Sequence, residues 1–237
     1  MFSIPGDLYD AIYSFKNYRD EAEKIRTLIQ TTHPAARTIP DVACGTAEHA
    51  KYLSAHFHVD SIDINLEFLK LAQSKIPNGT FHIADMRCFQ LGKRYDVVQC
   101  LFSSIGYMLT PDDIIAALKC FGNHVTPDGI ILVEPWLSPQ VYAQGGPHMT
   151  TVDRPDLKIC RMNVDEREGE VSILHFHYLI GTKDGIQRAD EIHRLALVSS
   201  DQMATYFRSA GLHCTFDPVG IFGRGLFIAR QKGIVSS

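Results

Sequence analysis

Ile39-Pro-Asp-Val-Ala-Cys-Gly-Thr-Ala-Glu-His49 reads as a short buried strand, a tight turn of small residues and the opening of a helix. Asp41 ends the apolar run, and Ala43, Cys44, Gly45, Thr46 and Ala47 then present almost no side-chain bulk. Such a turn lets backbone N–H groups and a helix N-terminus come close to a ligand. Further on, after a second apolar run, Asp63 stands in Ser61-Ile-Asp-Ile-Asn65. An acid at the end of the second strand is placed to hold a ribose diol. Turn and acid together predict an adenosine-type ligand on a doubly wound α/β sheet.

A dinucleotide fold needs G-x-G-x-x-G, with glycine where the backbone meets a pyrophosphate. Here the turn holds one glycine, Gly45, and is preceded by Asp41. A carboxylate there repels a pyrophosphate but takes an ammonium, directly or through water. S-adenosylmethionine (SAM) carries that ammonium and no phosphate, so the turn favours a methyltransferase over a dehydrogenase.

Asp41-Val-Ala-Cys-Gly-Thr46 resembles motif I of the class I SAM-dependent methyltransferases. Ala84-Asp-Met-Arg87, Phe102-Ser-Ser-Ile-Gly-Tyr107, Val133-Glu-Pro-Trp136 and Gly223-Arg-Gly-Leu-Phe227 follow in that order and narrow the match. Together they resemble the desosamine- and mycaminose-type aminosugar N,N-dimethyltransferases, over a span from about Tyr9 to Ile228. Two residues depart from the family pattern: its last turn glycine is Ala47 here, and Pro40 precedes Asp41. Proline cannot donate to a central ladder, so the first strand is expected to be distorted or to end early.

The resemblance implies a Rossmann-like methyltransferase sheet and several site residues. Tyr9, Asp10 and Lys16-Asn17-Tyr18 match a family pattern that borders the SAM pocket, with Asn17 in place of an acid. The competing account of Tyr9, Tyr13 and Tyr18 is packing of the first helices on the sheet. Asp85 falls where the superfamily contacts the adenine amine, and Met86 where it flanks the ring; a turn cap is the other reading of Asp85. The expected cofactor-binding set is Tyr9, Tyr18, Asp41, Ala43, Gly45, Asp63, Ile64, Asp85, Met86 and Phe102.

Composition bounds the rest. The 237 residues suit one large α/β domain or one domain with an insertion, and a 45% hydrophobic share is ample for a core. Net charge is −4 with no basic run, which argues against a nucleic-acid partner. Six scattered cysteines form no C-x-x-C pair, so neither a zinc knuckle nor a disulfide framework is expected. No signal peptide and no membrane-length apolar run is read, and the expectation is a soluble cytoplasmic protein.

Along the chain, residues 7 to 32 read as one or two helices, and strands and helices then alternate to a fifth strand ending at Val133. Thr110-Pro-Asp-Asp113 is a strong helix start. From 137 to 156 the chain reads as a Gly- and Pro-rich loop. Three strand-like runs follow, Leu157–Glu166, Val171–Ile180 and Ile186–Val198, joined by short turns that imply an antiparallel meander. Ser199-Ser-Asp-Gln202 looks like a capping box, and strands over 212–217 and 225–230 are expected to close the sheet. The predicted organisation is a SAM-binding domain over 1–136 and 199–237, with 137–198 as an inserted loop and three-stranded meander covering the acceptor site.

Acceptor residues are sought beyond the carboxyl ends of the strands. Tyr107 is the catalytic candidate: its phenol would line the acceptor amine, and the family carries Tyr or His in that slot. Packing against the insertion is the alternative. Glu134 ends strand five, and Trp136 could flank a sugar ring or anchor the insertion. Arg224, between two glycines, could pair with the diphosphate of a sugar nucleotide or lie solvated in a turn. His177 is placed in acceptor binding or in the interior of the meander, and His49 is read as structural. His175, His177 and His193 could cluster, but no carboxylate-flanked spacing supports a metal site and sulfonium chemistry needs none.

The expected function is transfer of a methyl group from SAM to an amine of a small molecule, with a nucleotide-linked aminosugar as first candidate by resemblance. A metal-independent O-methyltransferase is the alternative if His148, His175 or His177 faces the pocket; a non-catalytic binding protein is the other. The resemblance also implies a homodimer contact through the meander.

Overall fold

The computed structural model describes residues 4–232. Two helices lead, α1 (Gly6–Ile12) and α2 (Tyr18–Thr32), separated where Asn17 caps the second by accepting the Asp20 N–H. The motif strand β1 (Thr38–Val42) is followed by α3 (Glu48–Leu53), β2 (His58–Asp63), α4 (Leu66–Lys75), β3 (Thr80–Ile83) and β4 (Tyr95–Cys100). A short 3-10 turn, Ser104–Tyr107, precedes α5 (Pro111–His124) and β5 (Val125–Val133). Thr110 caps α5 and proline opens it, as its sequence predicts.

Four strands then form a separate antiparallel sheet: β6 (Pro147–Asp153), β7 (Lys158–Glu168), β8 (Val171–Thr182) and β9 (Gly185–Ala196), in that spatial order. The chain returns through α6 (Ser200–Ser209), β10 (Leu212–Asp217) and β11 (Leu226–Gln231). The capping box of Ser199 and Gln202 is formed. In the main sheet the order is β10-β11-β5-β4-β1-β2-β3, with β11 antiparallel to both neighbours and the other strands parallel.

Parallel strands covered on both faces carry continuous apolar runs, and β5 does so. Ile131 and Val133 point into the core under α5 and α6, while Ile130 and Leu132 point into the core under α2 and α3; all four are fully buried. A third core joins Tyr9 and Ile12 of α1 and the capping Tyr13 to Val152, Ile159, Leu174, Phe176, Tyr178 and Leu195 of the second sheet. That core seats the second sheet over the carboxyl ends of the central strands.

Two expectations are corrected. The sequence reading put a loop over 137–156 and three strands in the meander, whereas Pro147–Asp153 pairs along its length with β7 as a fourth, edge strand. Only Val152 of that strand is buried, so its signal lies in pairing and not in periodicity. Pro40, expected to distort or shorten β1, does neither. The strand stays in register with β2 over five residues, Thr38↔His58 to Val42↔Ile62. On its other side the bridge to β4 is the single pair Asp41↔Gln99.

Because Ile131 is fully buried at the sheet centre, Ile131→Ala should cost about 2–5 kcal/mol, the range for a truncated core aliphatic. Urea unfolding would report a lower midpoint with an unchanged slope.

Candidate active site

The turn after β1 is built from left-handed residues. Ala43 (φ 57°), Gly45 (φ 57°) and Ala47 (φ 61°) take this conformation at every second position. For the two alanines this conformation costs about 1–2 kcal/mol each, so the surroundings must hold it. Asp63 does much of that. Its Oδ2 accepts the Gly45 N–H at 2.8 Å, and its Oδ1 accepts the Asn65 N–H at 2.8 Å. Burial pushes the Asp63 carboxyl up from its ordinary value, opposed by its backbone N–H donors. Asp41 lies beneath the turn, 3% exposed, and accepts a hydrogen bond from Gln99 Nε2 at 2.9 Å. Burial raises its carboxyl to about 6, with His49 and Gln99 opposing.

Above this turn a cleft of about 310 Å³ is lined by Tyr9, Ala43, Gly45, Asp63, Ile64, Asp85, Met86 and Tyr107. Its lining includes Arg87, whose guanidinium is occupied by Asp85 at 2.6 Å and Asp113 at 2.7 Å. The hydrogen bonds from Arg87 hold the Asp85 carboxyl below the usual range. A side pocket of about 50 Å³ runs past Tyr18, Asp41, Gly45, Glu48 and Phe102. A Cβ placed on Gly45 would meet nothing nearer than Phe68 at 4.0 Å, so the backbone there is open to a ligand.

A second, larger cavity of about 770 Å³ lies between the main sheet and the antiparallel sheet. Tyr9, Ser104 and Tyr107 line both it and the first cleft. Trp136 and Arg224 face it together: the guanidinium sits 5.0 Å from the indole centroid, and the indole N–H donates to Ser172 Oγ at 2.9 Å. Lys16 and Arg161 add positive charge to the wall. Lys16 lies 3.7 Å from the Phe222 ring centroid and pairs with Glu21 at 2.8 Å. Arg161 donates to the Tyr13 hydroxyl at 3.0 Å and to Thr150 Oγ at 3.1 Å.

A methyltransferase-domain profile matches residues 39–129. The dTDP-3-amino-3,6-dideoxy-alpha-D-glucopyranose N,N-dimethyltransferase of Streptomyces fradiae is 37% identical over 94% of this chain and 89% of its own length. The chain belongs to the dTDP-aminosugar N,N-dimethyltransferase family. Among solved structures, DesVI of Streptomyces venezuelae superposes with a TM-score of 0.92 at 30% identity, covering 98% of this chain and 100% of its own. SAM-bound CalS10, an amino pentose methyltransferase from Micromonospora echinaspora, gives 0.87 at 28% identity, covering 95% of this chain and 97% of its own. The protein is a SAM-dependent N-methyltransferase with a Rossmann-like fold.

Within this methyltransferase most of the expected residues converge on the three connected spaces, and two do not. Glu134 is fully buried and lines none of them. Its Oε2 accepts the Phe102 N–H at 2.6 Å. Phe102 (φ 50°) and Ser103 (φ 62°) are left-handed and line the second cavity, so Glu134 braces the turn that leaves β4 from behind the cavity wall. His177 points away from the cavity: it is exposed on the outer face of the second sheet and pairs with Asp190. The cause is strand parity, since Leu174, Phe176 and Tyr178 take the inner face. The imagined trio of histidines is therefore divided. His175 and His177 lie outside, where with Asp190 they bring ligand atoms within 4.8 Å of one another. His193 is buried on the inside and hydrogen-bonded to Tyr107. His148 does line the cavity, with Nε2 3.1 Å from Asp165.

Arg161 is absent from the expected site residues, whereas Lys16 was expected at the SAM pocket and His193 in a histidine cluster, and both line the second cavity. Arg161 was detectable, because it sits two residues from the core-facing Ile159 and so shares its face. An arginine at a core-facing position calls for a partner or a ligand.

Burial pushes the Glu134 carboxyl up from 4.5 to about 8, with Arg224 and the Phe102 N–H opposing. Between those values the native state holds a proton that the unfolded state lacks. This contribution to stability is complete below the unfolded pKa and is lost as pH rises through about 8. Replacing the carboxyl by a neutral amide removes the titration. The thermal midpoint of Glu134→Gln should therefore fall less than that of wild type between about pH 6 and pH 9, measured by calorimetry.

Proposed function

We propose that this methyltransferase converts the amino group of a dTDP-linked aminosugar to its N-methylated form, with the first cleft as the donor site and the second cavity as the acceptor site. The observation that carries this reading is the junction of the two spaces at Tyr9, Ser104 and Tyr107, with Asp63 and Asp85 beside a committed Arg87 on one side, and Lys16, Arg161 and Arg224 beside Glu21 and Asp165 on the other. Asp63 suits a ribose diol, Asp85 and Met86 an adenine, and Ala43, Gly45 and Ile64 the backbone-lined wall between them. Asp41, Tyr18, Tyr9 and Phe102 surround the side pocket, whose acids suit the ammonium of the donor's amino-acid end. Among the described residues the one guanidinium lining the cleft, that of Arg87, is committed to Asp85 and Asp113, which suits a donor without a pyrophosphate. When bound, SAM supplies an electrophilic sulfonium methyl.

On the acceptor side Arg224 and Arg161 suit a diphosphate, and Trp136 suits a sugar or base face. Tyr107 stands where an acceptor nitrogen would meet the donor, and its phenol orients the amine. We read 1–136 and 199–237 as the donor-binding domain and 137–198 as an insertion that walls the acceptor cavity. We also propose a homodimer formed through the outer face of the insertion, in support of which Met162, Val164, Leu179 and Ile192 are 47–53% exposed there. A cytoplasmic location agrees with six cysteines left as free thiols.

Titration with S-adenosylhomocysteine tests the donor site. Binding by wild type, weakened about 10- to 100-fold in Asp63→Ala, is expected from the loss of charge-assisted hydrogen bonds; equal affinities would remove Asp63 from the site. Leu179→Asp is expected to shift the protein from dimer to monomer in light scattering, and a monomeric wild type would sink the dimer. Incubation of wild type with SAM and dTDP-3-amino-3,6-dideoxyglucose should give N-methylated product by mass spectrometry.

A further inference from the structure

The Tyr107 hydroxyl does not end in the cavity. It lies 2.9 Å from His193 Nδ1, and His193 Nε2 lies 3.3 Å from Glu191 Oε2. The same Glu191 oxygen accepts the Tyr178 hydroxyl at 2.9 Å, and Oε1 accepts the Ile4 N–H at 2.7 Å. His193 and Glu191 are 1% and 4% exposed, on the inner face of β9 opposite Leu174 and Phe176. A carboxylate fixed by Tyr178 and Ile4 and facing His193 keeps the imidazole proton on Nε2 and leaves Nδ1 free to accept from the phenol. Burying a carboxylate and an imidazole beside Leu174, Phe176 and Leu195 is costly, and the place of His193 at the wall of the cavity points to a functional pair.

We propose that Tyr107, His193 and Glu191 form a proton relay serving the acceptor amine. The inference rests on the acceptor reading given above. The N–H bond of the acceptor ammonium breaks with its electron pair left on nitrogen, and the proton passes to the Tyr107 oxygen. The phenolic proton moves at the same time to His193 Nδ1. The result is a neutral amine, a neutral tyrosine and an imidazolium paired with Glu191. Burial holds the Tyr107 phenol well above its ordinary range, so a free phenolate is not available and the two proton movements must be concerted. Other ionisable groups around the relay include Tyr9 of α1, Tyr13 that caps it, Asp63 of β2, Arg161 of β7, which stacks on Phe176 at 4.4 Å, and Tyr178 of β8. His148 and Asp165 line the same cavity. Methyl transfer forms an N–C bond as the C–S bond breaks and leaves the nitrogen protonated. A second transfer needs a further proton taken from the monomethyl ammonium, so the His193 imidazolium must first return its own proton through the Tyr107 hydroxyl to the cavity that both residues line. Tyr107 would touch the substrate; His193 and Glu191 act through it as positioning and proton-holding residues.

The test combines kinetics and spectroscopy on the full chain with SAM and a dTDP-aminosugar. In His193→Gln, kcat should fall about tenfold or more near pH 7, the loss shrinking toward pH 9 where the amine is already neutral. KM for the acceptor should stay within about twofold, and monomethyl product should accumulate, since only the relay is lost. Glu191→Gln should shift the pH profile in the same direction. Nitrogen NMR of the wild type should show one histidine with Nδ1 unprotonated and hydrogen-bonded, a resonance that His193→Gln removes and Tyr107→Phe shifts. Parallel pH profiles and an unchanged product ratio, in a wild type that does methylate, would overturn the relay and leave the acceptor reading intact. A proton found on His193 Nδ1 would overturn it without any variant. A wild type that binds S-adenosylhomocysteine but methylates no dTDP-aminosugar would overturn the acceptor reading and the relay with it.

Discussion

The Asp63 carboxylate ties together the parts of this protein that chemistry requires to be close. It ends β2, yet its oxygens hold the N–H groups of Gly45, in the turn after β1, and of Asn65, the cap of α4. Two strands and a helix are thus set by one side chain. The turn it secures contains two left-handed alanines, a conformation that would relax if the carboxylate were absent. A cleft lined by backbone can exist only where the backbone is held open, and here the holding group is itself a wall of the cleft.

A second brace repeats the arrangement at the next opening of the sheet. Glu134, at the end of β5, holds the left-handed turn at Phe102 and Ser103, and Arg224 donates to Ser103 Oγ at 3.1 Å. The first cleft and the second cavity are therefore each bordered by a left-handed turn held by a buried acid from the neighbouring strand. In both cases an oxygen of the acid accepts a backbone N–H of the turn, so the acid shapes the opening through hydrogen bonds to backbone.

The features legible in the sequence were those whose cause is local. The small-residue turn, the acid after β2, the Thr110 and Ser199 caps and the runs of β5 each follow from neighbouring residues. What escaped depended on partners distant in sequence. Pro147–Asp153 becomes a strand because β7 pairs with it, and nothing in its own pattern says so. Glu134 occupies the expected strand end, but position alone does not say on which side of the wall its side chain falls. His177 was misplaced although parity was visible: the apolar residues at 174, 176 and 178 assign the inner face to even numbers on that strand. β9 hides its inner face better, because two of its buried residues there, Glu191 and His193, are polar and invert the usual signal.

Tyr9, Ser104 and Tyr107 belong to both spaces, so among the described residues the first cleft and the second cavity adjoin directly. For inhibitor design this continuity has a direct meaning. An adenosine-bearing group and a sugar-bearing group joined by a short tether could occupy both spaces at once, crossing beside the Tyr107 hydroxyl without passing through solvent. Such a two-headed ligand would gain the effective concentration that a tether confers, and its best tether length would measure the distance over which the methyl group travels.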